Sequence, residues 1–114
     1  MITTITRDNF RALIKKPGIV LVDFWAPWCG PCRAFAPTFE AAASRYPDIT
    51  FGKVNTEEEP ELAGAFRIRS IPTIMAIKDG ELVFSQPGML PAPALEQLIR
   101  KLQNLPAKAV AANG

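Results

Sequence analysis

The amino-acid sequence predicts an α/β domain in which helices cover both faces of a central mixed sheet. Strand-like segments alternate with segments of helical periodicity, which favours strands that run parallel to one another. The stretch 19–25 (IVLVDFW) is β-branched and does not alternate, as expected for a central strand covered on both faces. Later, TIMAIK (73–78) and ELVFS (81–85) flank Asp79-Gly80, a dipeptide typical of hairpin turns. This hairpin adds an antiparallel edge to the sheet.

The first half of the chain predicts two strands and two helices. Residues 2–5 alternate weakly and form a first strand, and the helix that follows is ended by Lys-Pro-Gly at 16–18. After strand 19–25, a longer helix follows the cysteines, and Pro37 inside it predicts a kink. The apolar positions that indicate these helices are Phe10, Leu13 and Ile14 in the first, and Cys32, Phe35, Phe39, Ala42 and Tyr46 in the second.

The second half completes the order β-α-β-α-β-α-β-β-α. ITFGKVN (49–55) predicts a third strand, residues 60–66 predict a short helix, and the hairpin supplies the last two strands. A final amphipathic helix follows LPAPA, which offers no Ser, Thr, Asp or Asn cap. The expected architecture is a five-stranded sheet with four helices in three α/β/α layers. The apolar stripe of the last helix is Leu95, Leu98, Ile99, Leu102 and Leu105.

Length, composition and charge narrow the possible functions. The 114 residues suit one domain at 1–105, and the small residues of 106–114 predict a flexible C-terminal tail. The 13 basic and 11 acidic side chains are scattered, so we expect no nucleic-acid partner. No segment suits a membrane span and no secretory signal begins the chain, so we expect a cytoplasmic monomer. We interpret the glutamates at 57–59 and 61 as the first turn of a helix.

Cys29 and Cys32 are the only cysteines and carry the clearest chemical signal. The chain has no histidine, so it cannot supply the four Cys/His ligands of a closed zinc site. A ring of four residues would be a weak structural staple, worth roughly 2 kcal/mol, and stable disulfides are rare in the cytosol. Cysteines three positions apart at the start of a helix are close enough to form and break a disulfide. The pair is therefore predicted to be redox-active.

The two thiols are predicted to have different roles. Cys29 lies at the helix mouth, where we expect it to be exposed and its pKa to be lowered by the free N–H groups and the helix dipole. Cys32 continues the apolar stripe, so we expect it to be sheltered. Cys29 would attack a substrate disulfide, and Cys32 would then displace the product from the mixed disulfide. Gly30 and Pro31 between them would let a partner approach closely.

Asp23 is a carboxylate in a strand that otherwise predicts complete burial. Burial would raise its pKa and keep it partly protonated near neutrality. If the strand runs beneath the helix start, Asp23 could accept the proton of Cys32 as that thiol attacks. Two alternatives stay open: a buried acid with its hydrogen bonds satisfied, or a pair with Lys53, the only cation in strand 49–55. Lys53 could also merely protect its strand from aggregation.

The stretch VDFWAPWCGPC (22–32), followed about forty positions later by IPT (71–73), resembles the thioredoxin family. The similarity covers residues 2 to about 105 and implies the thioredoxin fold. It also implies that Cys29 attacks, Cys32 resolves, Asp23 is the buried acid and Lys53 is its neighbour.

The resemblance further implies a docking surface for extended substrate segments. It predicts a cis Ile71-Pro72 peptide that faces the cysteines, and a flat apolar surface formed by these two residues with Trp28 and Gly88. There the backbone of Ile71 would pair with the substrate as a short strand. We expect Trp28 to be exposed rather than part of the core. The departures from the family pattern are Arg67 and Ser70, where many thioredoxins have glycine, and Met89, where a smaller residue is common.

The function implied by the resemblance is that of a protein disulfide reductase. Electrons would come from an NADPH-dependent thioredoxin reductase and pass to proteins such as ribonucleotide reductase, peroxiredoxins or methionine sulfoxide reductase. The chain has no G-x-G-x-x-G fingerprint, so we expect it to bind no nicotinamide or flavin. With no metal expected either, the cysteine pair itself is the redox group. Two other interpretations stay open: a disulfide oxidase or isomerase, and a binding subunit whose cysteines are incidental.

Overall fold

Five strands form a single mixed sheet in a computed structural model that describes residues 1–106. The strands are β1 (Ile2–Thr4), β2 (Ile19–Trp25), β3 (Thr50–Asn55), β4 (Thr73–Lys78) and β5 (Glu81–Pro87). They lie in the order β1-β3-β2-β4-β5. β3 pairs in parallel with both β1 and β2, whereas β4 is antiparallel to β2 and to β5. The mixed sheet with an antiparallel edge is thus confirmed. Of the predicted tail 106–114, residues 107–114 lie outside the described part of the chain.

Four helices connect the strands in the predicted order. They are α1 (Phe10–Ile14), α2 (Gly30–Arg45), α3 (Pro60–Ala65) and α4 (Ala92–Gln103). α2 continues through Pro37 to its end, and the kink expected there stays a prediction. The N-cap residue of α4 is Pro91, which provides no side-chain cap, as its sequence indicates. Leu105 lies beyond the end of α4 and is exposed, so the prediction that it belongs to the apolar stripe was wrong.

Two apolar clusters, one on each face of the sheet, explain why β2 does not alternate. Ile19 and Leu21 belong to the cluster covered by α2 and α4. Val20, Val22 and Phe24 belong to the other cluster, which includes residues of α1 and α3. Successive side chains of a strand point to opposite faces, and here both faces are covered. β2 therefore lies at the centre of the molecule, and its carboxyl end leads directly to the cysteines.

Two expectations about charged residues are corrected by the fold. β3 is an interior strand between β1 and β2, so Lys53 cannot protect a sheet edge from aggregation. α3 begins only at Pro60, so of the acidic residues at 57–61 just Glu61 lies in its first turn. The preceding glutamates form the turn after β3, where the backbone N–H groups of Glu58 and Glu59 bind the carbonyl of Asn55. None of the helices described within residues 1–106 is long and apolar enough to cross a bilayer.

Candidate active site

Cys29 and Cys32 are joined by a disulfide where α2 begins. Their Cα atoms are 5.2 Å apart. Cys29 is the N-cap residue, with extended backbone, and its sulfur accepts a hydrogen bond from the backbone N–H of Cys32 at 3.2 Å. Gly30 and Pro31 form the exposed start of the helix, and the space beside the Gly30 Cα is open. The helix N-terminus therefore presents a free N–H group to the Cys29 sulfur.

The Cys29 side chain is more buried than predicted. It is 4% exposed, against 2% for Cys32, so burial does not distinguish the two residues in the disulfide form. Ile71 packs against both cysteines and Ala26, and its carbonyl oxygen lies 3.7 Å from the Cys29 sulfur. The absence of a preceding helical turn led to the prediction of exposure. A loop distant in sequence supplies the cover instead.

The loop that covers Cys29 contains the cis Ile71-Pro72 peptide bond, as the resemblance implied. The backbone N–H of Gly88 donates a hydrogen bond of 2.7 Å to the Pro72 carbonyl, which ties this loop to the end of β5. Gly88 has a φ of +98°, a conformation that favours glycine. Ile71 is half-buried, Pro72 is buried and Gly88 is exposed. The structure thus brings these three expected docking residues together next to the disulfide.

Asp23 is fully buried in β2, with 0% exposure. Neither carboxyl oxygen has a hydrogen-bond partner among the described protein atoms. Burial raises the pKa of Asp23 to about 7, and the charge of Lys53 acts in the opposite direction. No protein group among the described residues therefore satisfies this buried acid. Alternation along β2 places Asp23 on the same face as Ile19 and Leu21, which is the face covered by α2.

Lys53 lies opposite Asp23 in the parallel register of β2 and β3, but the two side chains form no ion pair. The ammonium group instead lies 4.7 Å from the centre of the Trp25 ring, a cation–π geometry. Direct pairing of Asp23 with Lys53 was therefore wrong. The charge of Lys53 lowers the pKa of Asp23, but by less than burial raises it.

Comparison with known proteins agrees with this geometry. The thioredoxin family model matches residues 1–101. The chain belongs to the thioredoxin family. It is 49% identical to thioredoxin 1 of Nostoc sp. over 99 residues, which are 85% of this chain and 92% of the relative. It is 44% identical to the thioredoxin of Bacillus subtilis over 97 residues, 84% and 92% of the two chains.

A solved thioredoxin structure extends the agreement to three dimensions. The oxidised form of mitochondrial thioredoxin 3 from Saccharomyces cerevisiae superimposes with a TM-score of 0.81 at 36% identity. The match covers 89% of this chain and 95% of that one. The thioredoxin fold is thereby confirmed, and with it the general activity. This thioredoxin-family protein is a protein disulfide oxidoreductase whose redox pair is Cys29 and Cys32.

One polar contact of this thioredoxin site was missed by sequence reasoning. Trp28 is 64% exposed, as expected, and its indole N–H donates a hydrogen bond of 2.6 Å to the carboxylate of Glu57. Glu57 lies in the turn after β3, at the sheet edge where the parallel neighbour β2 also ends. Carboxyl ends of parallel strands meet at one edge, so the acid-rich turn could have been placed near the cysteines. It was assigned to a helix instead.

Proposed function

We propose that this thioredoxin-family protein reduces disulfides in other cytoplasmic proteins, with electrons supplied by a thioredoxin reductase. The observation that carries the proposal is the position of Cys29. Its sulfur is the N-cap acceptor of α2 and lies beside the cis Ile71-Pro72 loop. A thiolate at this position would receive the N–H of Cys32 and the positive end of the helix dipole. Cys29 is the attacking residue in this mechanism.

The reaction transfers two electrons from the dithiol to the substrate. The Cys29 thiolate attacks one sulfur of the substrate disulfide, the substrate S–S bond breaks, and the released sulfur takes up a proton. Cys32 then loses its proton and attacks the Cys29 sulfur in the mixed disulfide. The second substrate thiol leaves, and Cys29 and Cys32 remain as the disulfide seen in the structure. A reductase restores the dithiol, so the protein needs no cofactor beyond this pair.

Asp23 is proposed as the proton acceptor for Cys32. Its carboxyl group has no hydrogen-bond partner among the described atoms, and its pKa of about 7 suits proton exchange at neutral pH. It lies on the α2 face of the sheet, and Cys32 lies in the first turn of α2. Asp23→Asn is expected to slow release of the mixed disulfide at pH 7 while alkylation of Cys29 keeps its rate. An unchanged release rate would remove Asp23 from the mechanism.

The docking surface is proposed to hold an extended substrate segment. The backbone of Ile71 would pair with that segment as a short strand, beside the exposed ring of Trp28 and the open backbone at Gly88. Candidate acceptors are ribonucleotide reductase, peroxiredoxins and methionine sulfoxide reductase.

NADPH consumption in the presence of thioredoxin reductase and a disulfide-bonded test protein checks this function. The wild type should consume NADPH in proportion to the test protein, whereas Cys29→Ser should be inactive. Cys32→Ser should accumulate a covalent mixed disulfide with the test protein, because the resolving thiol is missing. Faster alkylation of Cys32 than of Cys29 in the reduced protein would contradict the assigned roles.

A further inference from the structure

A cavity of about 230 Å³ adjoins the docking surface and has no role in the proposed reaction. It lies between the segment 66–70 and the adjoining ends of β4 and β5. Two arginines, Arg67 and Arg69, line one side. Ser70 and Ser85 add hydroxyl groups to the lining. Most of the lining surface is apolar, and the two arginines and two serines add positive charge and hydrogen-bond donors to it.

The two arginines have no acidic partner in the described part of the chain. Both are exposed, and no carboxylate lies within 4.0 Å of either guanidinium group among residues 1–106. By contrast, Arg7 pairs with Glu61 and Arg45 pairs with Glu96. The positive charge of Arg67 and Arg69 is thus available to a binding partner.

The end of α3 sets the backbone of Arg67. Arg67 directly follows the C-cap Phe66, and its φ of +55° is the left-handed conformation that commonly ends a helix. The backbone N–H of Ile68 donates a hydrogen bond of 2.9 Å to the Ala63 carbonyl and closes this helix end. The helix end therefore fixes where the Arg67 side chain leaves the backbone, beside the cavity.

The cavity is continuous with the proposed docking surface at both of its ends. Ser70 directly precedes Ile71, whose carbonyl oxygen lies 3.7 Å from the Cys29 sulfur. Pro87, which also lines the cavity, directly precedes Gly88. Arg69 precedes Ile71 by two residues in the irregular segment between α3 and β4. A substrate strand that pairs with Ile71 would therefore extend over the cavity.

We propose that Arg67 and Arg69 select disulfide proteins that carry an acidic side chain about two to four residues from the cysteine under attack. This inference rests on the proposed function, because it assumes that the substrate strand docks on Ile71. Guanidinium groups bind carboxylates through paired, charge-assisted hydrogen bonds, and Ser70 offers a further donor beside them. Across the site, the carboxylate of Glu57 on Trp28 would repel a second acid.

Single-turnover kinetics with three peptides tests this selection. Each peptide carries one cysteine in a mixed disulfide with a chromogenic aromatic thiol, the better leaving group, so attack falls on the peptide sulfur. The peptides differ only in glutamate, glutamine or lysine at positions two and four from the cysteine, on either side of it. For the reduced wild type we expect the glutamate peptide to react about three- to tenfold faster than the glutamine peptide at low salt. The ratio should fall at about 0.5 M salt.

The double variant Arg67→Gln/Arg69→Gln should bring the glutamate-to-glutamine ratio to about one, with the glutamine peptide reacting within about twofold of its wild-type rate. Lys15→Gln/Lys16→Gln is the matched control, because it removes the same charge from exposed residues after α1, at the opposite end of the sheet. It should keep the ratio. A ratio that persists in the arginine variant, or an equal loss for both peptides, would overturn the proposal. If the wild type reduces none of the peptides, the proposed function fails instead.

Discussion

Burial of Asp23 lowers the stability of the folded protein at neutral pH. The pKa of Asp23 is about 7 in the folded protein and near its ordinary value of 3.8 in the unfolded chain, because folding buries the carboxyl group without a hydrogen-bond partner. Between these pH values the folded protein holds a proton that the unfolded chain has lost. The contribution of Asp23 to stability is therefore greatest below about pH 4, falls as the pH rises to about 7, and is level above it.

Asp23→Asn should remove this pH dependence. Each pH unit between the two pKa values corresponds to about 1.36 kcal/mol, so the full effect is roughly 4 kcal/mol. We expect the variant to exceed the wild type in free energy of unfolding by roughly 2–4 kcal/mol at about pH 8.5, and to match it at about pH 4. Urea unfolding of the oxidised proteins measures both values.

A matched control for this measurement is Asp8→Asn, because Asp8 is exposed and near the N-terminus. It should leave the pH profile of stability unchanged. A difference in free energy of unfolding between the wild type and Asp23→Asn that stays constant between about pH 4 and pH 7 would contradict the burial argument.

The sequence predicted which residues form the site better than it predicted their burial and contacts. Cys29, Cys32 and Asp23 were found because a thiol pair and an acid within an apolar strand are rare in local sequence. The predicted exposure of Cys29 was wrong, because the Ile71 loop covers this residue. The predicted partner of Lys53 was also wrong, because its ammonium group contacts the Trp25 ring on the neighbouring strand. Burial depends on such long-range neighbours, which a local pattern does not contain.

The end of α4 shows that a helix can be completed by another element. The Lys78 ammonium group, on β4, donates hydrogen bonds to the carbonyls of Leu102 and Leu105. The last carbonyls of a helix lack intrahelical donors and carry partial negative charge, so a cation there stabilises the helix end. At its other end, α4 has Pro91 as N-cap and no side-chain cap. Lys78 therefore supplies the polar anchoring that the start of α4 lacks.

Lys78→Met keeps the aliphatic stem and removes the ammonium group. We expect it to lower the free energy of unfolding by about 1–2 kcal/mol, because two carbonyls lose a charged donor. Lys101→Met is the comparison: Lys101 is exposed in the same last turn, and none of the side-chain hydrogen bonds within residues 1–106 involves it. It should cost about 0.5 kcal/mol or less. If both variants lost the same free energy of unfolding, the hydrogen bonds of Lys78 would add nothing to the stabilisation that any positive charge near the helix C-terminus provides.

Elements were predictable where local residues define them. The hairpin turn at Asp79-Gly80 is as expected, and both residues have positive φ. The amphipathic stripes located α2 and α4 for the same reason. The ends were harder to predict: α4 ends at Gln103 although Leu105 continued the apolar period, and Lys78 binds the carbonyl of Leu102 in its last turn. Such a partner lies more than twenty residues away in sequence, so periodicity does not show it.

For the molecule as a whole, the order of the sheet is what brings the site together. β2 carries Asp23 and leads to Cys29, and the antiparallel neighbour β4 begins directly after the cis Pro72. The unalternating sequence of β2 predicted its central place. The crossing order β1-β3-β2-β4-β5 was not predicted in detail, because only the β4–β5 pairing is local in sequence. The parallel pairings depend on which faces the helices cover.

Stability should be distributed accordingly, with the site on the most stable strands. β2 is buried along nearly its whole length and paired on both sides, whereas β5 is mostly exposed and paired only with β4. We expect amide hydrogens of β2 and β4 to exchange only through global unfolding, typically about 5–15 kcal/mol, and those of β5 through local opening at least about 1–2 kcal/mol lower. Hydrogen exchange of the oxidised protein under native conditions measures this difference. The paired amides of β5 are the informative ones, since its outer amides exchange freely. If the paired amides of β5 were protected as strongly as those of β2, the sheet would open as one unit. The loop with the cis Ile71-Pro72 peptide, which Gly88 ties to the end of β5, would then be as rigid as the core.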